Sequence, residues 1–305
     1  MEDMRRALLD LFCSRGYQLV IPPLMEYLDS LLTGVGADLD LKTFKLVDQL
    51  SGRLMGVRAD ITPQVARIDA HLLAANTVNR LCYAGSVLHT QSDGFHRSRE
   101  PIQIGAELYG EAGAEADLEI LTLMLQGLAA CGVKTVQLDI GHVGVYRALA
   151  QEAGLSGEVE HQLFGALQAK DSSAVAVLTA GLPIVLRDAF AALSQLYGDR
   201  SVLAEARARL PQLASVAAAL DTLELLDQGL VNVEAAYDLA ELRGYGYHSG
   251  VVFAAYTGGR SHAIAQGGRY DEVGRVFGRA RPATGFSLDL RELAMASSDT
   301  INKGR

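Results

Sequence analysis

The sequence predicts an α+β fold in which an antiparallel sheet is flanked by helices. Short β-prone segments follow one another on both sides of a long helical stretch, and helical patterns stand at both ends of the chain. Consecutive strands joined by short turns pair in an antiparallel way, whereas a regular alternation of strands and helices indicates a parallel sheet. With 305 residues the chain is long enough for one large domain or two modest ones.

The N-terminal half alternates helical and β-prone patterns. Apolar residues at helical spacing precede Gly16, and prolines end the β-prone stretch that follows. Thr62 is expected to cap a helix, because a hydroxyl directly before Pro63 is a common helix start. The predicted elements are a helix to Ser14, a strand over 17–21, a hairpin over 42–58, a helix from Thr62, a long hairpin over 81–109, a helix over 115–130 and a strand over 133–140.

Residues 144–229 differ in character from the rest of the chain. They are rich in Ala and Leu at helical spacing, and we interpret them as an inserted helical subdomain. Strand patterns return after them, at 231–237, 250–256, 263–266 and 283–288. The predicted organisation is therefore a core of 1–143 and 230–296, the insertion of 144–229, and a polar, mobile tail of 297–305.

Composition excludes several classes of function. The formal net charge of −9 repels polyanions, so no sequence-independent nucleic-acid binding is expected. No apolar run approaches the roughly 18 to 20 residues that cross a bilayer, and the N-terminus does not resemble a secretory signal, so we expect a cytoplasmic protein without membrane contact. His and Cys lack the spacing of a metal site, and Gly267-Gly268-Arg269 is more typical of a tight turn than of a nucleotide loop. No metal or cofactor is predicted.

A set of polar side chains lies on or beside the predicted strands. Gln103 and Glu107 alternate with apolar residues and therefore share one face of their strand. Carboxylates and an amide with an arginine nearby complement a zwitterion, since the carboxylates suit an ammonium and the guanidinium suits a carboxylate. The same pattern also fits a solvated sheet face, and the residues alone leave both interpretations open. The set comprises Asp60, Thr62, Arg97, Arg99, Gln103, Glu107 and Arg243.

Several ordered segments resemble histidyl-tRNA synthetase. Residues 16–26 resemble the first class II synthetase motif, 99–110 resemble the second half of motif two, and 285–293 stand where motif three belongs. Residues 243–253 and 267–271 resemble the two histidine-specific signatures. The resemblance covers nearly the whole chain and implies a class II synthetase-like antiparallel sheet with a helical insertion. It also implies a homodimer, because the first motif forms the two-fold interface of class II cores.

The resemblance further implies a pocket for free histidine. Asp60 stands where the synthetases use Glu, and His248 stands where they use a Tyr, so histidine binding is left open. By motif position, the pocket residues are Asp60, Thr62 and Gln103 near the ligand ammonium, Glu107 near its imidazole, Arg243 near its carboxylate, and Tyr270 in the lining.

Departures from the synthetase motifs predict the loss of ATP activation, and with it of any catalytic residue. In the synthetases, one stretch of motif two contains the arginine that binds the α-phosphate. The corresponding stretch here is 88–91, which has His89 and no arginine. The motif-three arginine for the γ-phosphate falls at Glu292, and Asp289 replaces an upstream glycine. Arg291 is no substitute, because a shift of one residue rotates a helical side chain by about 100°.

The sequence stops just after motif three, and no anticodon-binding domain is expected. This combination is similar to the family of synthetase paralogues that serve as regulatory subunits of ATP phosphoribosyltransferase, and residues 46–56 and 64–71 look specific to that family. The resemblance implies a non-catalytic subunit that activates the short-form catalytic subunit in the first step of histidine biosynthesis, in a hetero-octamer, and passes a histidine signal to it. Two alternatives stay open: an enzyme that activates or transfers an amino acid, and a stand-alone amino-acid sensor.

Overall fold

The computed structural model describes residues 1–33, 37–73, 77–92, 98–231, 233–241, 244–258 and 260–302. These residues form both helices and strands, which confirms the predicted α+β class. Contacts within the chain separate two units, which are Met1–Thr135 with Ile264–Arg305, and Val136–Ala263. We describe each unit by itself.

The elements are numbered in chain order. The helices are α1 Glu2–Ser14, α2 Leu28–Leu32, α3 Ala37–Lys42, α4 Thr62–Leu72, α5 Ala114–Ala130, α6 Val143–Glu152, α7 Gly157–Gln168, α8 Ser172–Thr179, α9 Ile184–Leu193, α10 Ser201–Arg209, α11 Ala214–Gly229 and α12 Leu290–Asn302, with a 3₁₀ helix over Val273–Phe277. The strands are β1 Gln18–Leu19, β2 Met25–Tyr27, β3 Phe44–Val47, β4 Leu54–Val57, β5 Asn79–Ser86, β6 Ile102–Tyr109, β7 Gln137–His142, β8 Tyr197–Gly198, β9 Glu234–Asp238, β10 Val251–Tyr256, β11 Ala265–Arg269 and β12 Ala283–Asp289.

The main sheet of the first unit has the strand order β1-β5-β6-β12-β11. The pairs β5/β6, β6/β12 and β12/β11 are antiparallel, as the sequence predicts. The prediction is wrong for β1, which pairs with β5 in parallel, because the chain between them forms a long crossover instead of a turn. A second, small antiparallel sheet has the order β2-β4-β3 and contains the predicted hairpin.

One face of the main sheet is covered by α1 and α5. Phe12 of α1 meets Phe286 of β12 edge to face, with ring centroids 5.7 Å apart. A Cβ on Gly127 of α5 would lie 2.8 Å from Leu8 Cδ2, so glycine there permits the close approach of the two helices. This face carries Ile104, Ala106 and Leu108 of β6, all fully buried. Gln103 and Glu107 therefore point to the opposite face, away from these helices.

The second unit combines β7 to β10 with the helices α6 to α11. Strand β10 pairs antiparallel to β7, and β8 pairs antiparallel to β9. The antiparallel prediction is wrong for β7 and β9, which are parallel because the helices α6 to α11 lie between them in the chain. This unit contains more residues than the predicted insertion of 144–229, because the strands β7, β9 and β10 also belong to it. The insertion boundary itself stays a prediction.

Three local features differ from the sequence-based expectations. Gly267-Gly268-Arg269 lies within β11, so the prediction of a tight turn is wrong. Strand β7 begins at Gln137, later than predicted. Helix α12 includes residues 297–302, assigned above to the tail, and 303–305 lie outside the described residues. Among the helices that the structure describes, none is long and apolar enough to cross a membrane.

Candidate functional site

Glu107 lies at the centre of a buried cluster of hydroxyl groups in the first unit. Its side chain is on β6, and the residue is only 1% exposed. Thr62 Oγ1 donates to Glu107 Oε1 at 3.2 Å, Tyr83 Oη donates to the same oxygen at 3.0 Å, and the Tyr270 hydroxyl donates to Oε2. Burial raises the pKa of Glu107 to about 8, although these hydrogen bonds act in the opposite direction. Near neutral pH the group is therefore mainly the neutral acid.

Three tyrosines form the walls around this carboxyl group. Tyr83 is fully buried, and Tyr109 and Tyr270 are each 2% exposed. Tyr270 Oη lies 3.2 Å from Tyr109 Oη, within hydrogen-bond distance, and the two rings meet edge to face. Burial, together with the nearby carboxyl group, raises the pKa of Tyr83 and of Tyr109 well above the ordinary range. The hydroxyls therefore stay protonated and available as donors.

Asp60 and Gln103 form a second polar pair beside this cluster. Gln103 Nε2 donates to Asp60 Oδ1 at 2.8 Å, and Gln103 Oε1 accepts from the Ile61 amide at 2.8 Å. Asp60 Oδ1 also accepts from the Thr62 amide at 2.9 Å. These bonds fix residues 60–62 against β6 and hold a half-buried carboxylate in one orientation. A ligand ammonium can meet this carboxylate, and it would share Asp60 with the two donors.

Thr62 does not play its predicted part as a helix cap. The N-cap of α4 is Ile61, without a side-chain capping bond, and Thr62 is the first helical residue. Its hydroxyl instead lies 3.0 Å from Tyr83 Oη and within reach of Glu107. Leaving a buried carboxyl group and phenol without a hydrogen-bond partner costs more free energy than leaving a helix end uncapped, because the backbone amides of a helix end can bond to water.

Two glycines make room for the buried cluster. Gly285 of β12 stands opposite Glu107 in the sheet, and a Cβ there would lie 1.6 Å from Glu107 Oε2. Gly105 of β6 stands opposite Tyr83, and its Cβ would lie 2.6 Å from Tyr83 Oη. Neither position can carry a side chain without displacing the cluster.

The structure brings most of the predicted site residues together. Asp60, Thr62, Gln103, Glu107 and Tyr270 are linked by the hydrogen bonds described above. Arg243 and Arg97 lie outside the described residues. Arg99 is exposed and donates through Nε to the His89 carbonyl at 3.0 Å, with its guanidinium over the Phe44 ring. That these residues bind histidine stays a prediction.

The positions that the motif resemblance assigns to the phosphate-binding arginines carry other groups. His89 Nε2 lies 2.9 Å from the carbonyl of Ala59, the residue that precedes Asp60. Glu292 is 6% exposed, and Asp289 accepts from the Ile102 amide at 3.1 Å. Arg291 Nε donates to the Glu100 carbonyl at 2.8 Å. The guanidinium of Arg291 is thus bound to the protein itself. If the motif correspondence holds, the carboxyl groups of Asp289 and Glu292 would repel a bound nucleotide.

Arg269, which the sequence places after the glycine pair, ties β11 to the start of α5. Its Nε lies 3.1 Å from Asp117 Oδ2, and its other nitrogens donate to the carbonyls of Glu111 and Gly113 at 3.2 and 3.0 Å. Arg269 is 7% exposed and Asp117 1%. All of these acceptors belong to the protein, so Arg269 acts as a structural tie and not as a phosphate ligand.

The segment that follows Arg243 is anchored within the second unit. Gly244 has a φ of +64° and closes a turn in which its carbonyl accepts from the His248 amide at 2.8 Å. Tyr245 Oη donates to Glu160 Oε1 at 2.7 Å, and its carbonyl accepts from Arg147 Nη2 at 2.6 Å. Helices α6 and α7 therefore hold this signature segment. The His248 ring lies edge to face against Tyr247.

Tyr83 and Tyr109 were missed as members of the site. Tyr109 lies two residues after Glu107 on β6 and therefore shares its face of the sheet. Leu81 of β5 stands opposite Glu107, and Tyr83 lies two residues after Leu81, so it points to the same face. That parity is readable from the sequence once the hairpin register is known. Among the described residues, no group of three or more His, Cys, Asp or Glu could hold a metal ion.

Comparison with known proteins identifies the family. The model of the histidyl-tRNA synthetase family matches residues 1–293. The ATP phosphoribosyltransferase regulatory subunit of Thiobacillus denitrificans (strain ATCC 25259 / T1) is 84% identical over 298 residues, which are 98% of this chain and 93% of that protein. The chain therefore belongs to the histidyl-tRNA synthetase family and, within it, to the ATP phosphoribosyltransferase regulatory subunits. A relative of the same name from Ralstonia nicotianae is 62% identical over 294 residues, which are 96% of this chain and 76% of that protein.

Solved structures confirm the predicted synthetase-like fold. An ATP phosphoribosyltransferase regulatory subunit/histidyl-tRNA synthetase from Bacillus halodurans matches with a TM-score of 0.86 and 28% identity, over 97% of this chain and 78% of that one. A chain of an ATP phosphoribosyl transferase complex from Thermotoga maritima matches with a TM-score of 0.71 over 94% of this chain and 96% of its own length. Its identity is 17%, so this second likeness shows the fold alone.

Proposed function

We propose that the chain is the non-catalytic regulatory subunit of a short-form ATP phosphoribosyltransferase in the first step of histidine biosynthesis. It assembles with the catalytic subunit in the cytoplasm, as a hetero-octamer, and raises the activity of that subunit. The observation that carries the proposal is the 84% identity, over 98% of the chain, to a protein named as this regulatory subunit. The second relative has the same name.

The site geometry supports a role without chemistry of its own. The described part of the polar cluster around Glu107 is intact. By the motif resemblance, His89 and Glu292 stand where the synthetases bind ATP; His89 contacts the Ala59 carbonyl, and Glu292 is buried. The cluster of Asp60, Thr62, Gln103, Glu107 and Tyr270 is the part of the proposed histidine pocket that the described residues contain. Arg243 is proposed for the ligand carboxylate. Histidine bound there would give the subunit a feedback signal to pass on.

Activation is tested by titrating the chain into the purified short-form catalytic subunit. The catalytic rate is expected to rise and to saturate at a fixed subunit ratio, because the effect comes from assembly. Asp60→Asn and Glu107→Gln are expected to leave the plateau rate unchanged in the absence of histidine, since neither residue contributes to catalysis. A rate that does not respond to added chain, or separate elution of the two proteins at micromolar concentration, would contradict the proposal.

We expect the chain to catalyse no adenylate synthesis. Each preorganised contact to transition-state charge is worth about 10²–10³ in rate, and both phosphate arginines are replaced. The measurement is histidine-dependent exchange of pyrophosphate into ATP, with a histidyl-tRNA synthetase as positive control. Exchange above background would favour the alternative function as an amino-acid-activating enzyme.

A further inference from the structure

Cys82 of β5 points to the face of the main sheet that α1 covers. It stands opposite Ala106 of β6, which lies on that face, and it is fully buried. Tyr83, the next residue of the strand, points to the opposite face, where its hydroxyl contacts Glu107. Cys82 is therefore packed on the helix side of the sheet, away from the polar cluster.

Cys13 lies in the last turn of α1, close to the same edge of the sheet, and it is exposed. The chain turns directly after it, and the Gly16 amide donates to the Cys13 carbonyl at 3.0 Å. Strand β1 then runs parallel to β5, with Leu19 opposite Cys82, and the Val20 amide donates to the Cys82 carbonyl at 2.9 Å. The backbone thus holds the end of α1 next to the start of β5.

The two thiols contact each other across this junction. The side chains of Cys13 and Cys82 lie within hydrogen-bond reach of one another. Burial, together with the neighbouring Cys13 thiol, raises the pKa of Cys82 to about 12, so Cys82 stays protonated near neutral pH. A reagent in solution therefore meets Cys13 first, with a second thiol directly behind it.

We infer that Cys13 and Cys82 are a redox-sensitive pair, in which a hydroperoxide converts the two thiols into a disulfide that ties α1 to β5. With hydrogen peroxide, the Cys13 sulfur attacks one oxygen and the O–O bond breaks, which gives a sulfenic acid and one water. The Cys82 sulfur then attacks the Cys13 sulfur, and the hydroxyl group leaves with the Cys82 proton as a second water. Two thiols are oxidised by two electrons in total, and the peroxide is reduced to water.

The bond closes a loop of about 70 residues, which contains the small sheet and the helices α2 to α4. Closing a loop of this length restricts the unfolded chain, so the oxidised protein is expected to melt at a higher temperature than the reduced protein. The Cys13 sulfur is open to attack by a thiol reductant, which makes the bond reversible. Where thiol reductants are abundant, the disulfide forms only while the oxidant is present.

The test treats the reduced full chain with hydrogen peroxide, alkylates the remaining thiols under denaturing conditions, and maps the peptides by mass spectrometry without reduction. Cys13 and Cys82 are expected to become protected from alkylation together, in one linked peptide, while Cys131 remains alkylated. The intact mass should fall by two hydrogen atoms, and dithiothreitol should restore it. The melting temperature of the oxidised chain should be higher by about 4 °C or more.

Two variants separate the steps. Cys13→Ser removes the exposed thiol, and oxidation of Cys82 should be lost because that residue is buried. Cys82→Ala removes the second thiol, so oxidation of Cys13 should stop at the sulfenic acid, which dimedone traps. If Cys82→Ala does not fold, Cys13→Ser alone decides, since its position is exposed.

Cys131→Ser is the matched control. Cys131 is buried like Cys82 and lies at the other end of α1, with its Sγ 4.0 Å from the Met4 carbonyl. Burial raises the pKa of this thiol as well, to about 11. The variant is expected to form the bond between Cys13 and Cys82 as the wild type does.

Several results would overturn the inference. These are a wild type in which Cys13 is oxidised while Cys82 remains alkylated, a disulfide that joins Cys13 residues of two chains, and oxidation of Cys82 that persists in Cys13→Ser. An oxidised wild type that melts no higher than the reduced protein would also contradict it. The measurements use this chain alone, so their outcome does not depend on activation of a catalytic subunit.

Discussion

Arg269→Ala is expected to lower the free energy of unfolding by about 3–5 kcal/mol, which is the usual effect of removing one partner of a buried ion pair. The substitution leaves Asp117, which is 1% exposed, without its cation, and it removes the donors to the carbonyls of Glu111 and Gly113. The quantity to measure is the free energy of unfolding from urea denaturation, followed by circular dichroism.

Arg275→Ala is the control for this prediction. Arg275 pairs with Glu272 in the same unit, but the two side chains are 72% and 57% exposed. Exposed pairs are worth less than about 1 kcal/mol, so this variant should remain close to the wild type. If the two substitutions lowered the free energy of unfolding equally, the buried pair of Arg269 and Asp117 would contribute no more to stability than an exposed pair.

The sequence predicted those parts of the fold in which pairing partners are neighbours in the chain. Strand β6 ends at Tyr109, where the predicted long hairpin ends, and the hairpin of β3 and β4 lies within the predicted segment, because alternation and a turn specify both. The parallel pairs β1/β5 and β7/β9 could not be predicted in this way. Their partners are brought together by packing of the intervening chain, about which local periodicity carries no information.

The site shows a similar limit. Alternation along β6 correctly indicated that Gln103 and Glu107 share a face, and the motif resemblance pointed to Asp60 and Tyr270. Alternation does not reveal what covers a face. The burial of Glu107 under tyrosines from β5 and β6 depends on the register of the hairpin and on Gly285 across the sheet. The misassigned Thr62 has the same cause, since a hydroxyl that can cap a helix can equally satisfy a buried acid.

Glu107→Gln is expected to remove a large pH dependence from the stability of the protein. The unfolded chain loses the Glu107 proton near pH 4.5, whereas the folded protein holds it until about pH 8 because burial disfavours the charged form. Between these values the folded state binds one proton more than the unfolded state. The contribution of Glu107 to stability is therefore fully present below pH 4.5 and is lost as the pH rises to about 8.

The measurement is the difference in free energy of unfolding between wild type and Glu107→Gln at several pH values from 5 to 8. As the pH rises, the wild type should lose stability relative to Glu107→Gln by up to about 1.4 kcal/mol per pH unit, the value for one proton. Glu119→Gln is the control, because the hydrogen bond from Arg80 lowers the pKa of Glu119 and its contribution is lost as the pH falls. A flat difference for Glu107 would mean that the tyrosine hydroxyls hold it as a carboxylate. The pocket would then present an anion to a ligand imidazole, and histidine affinity would follow the charge of the imidazole instead of the protonation of Glu107.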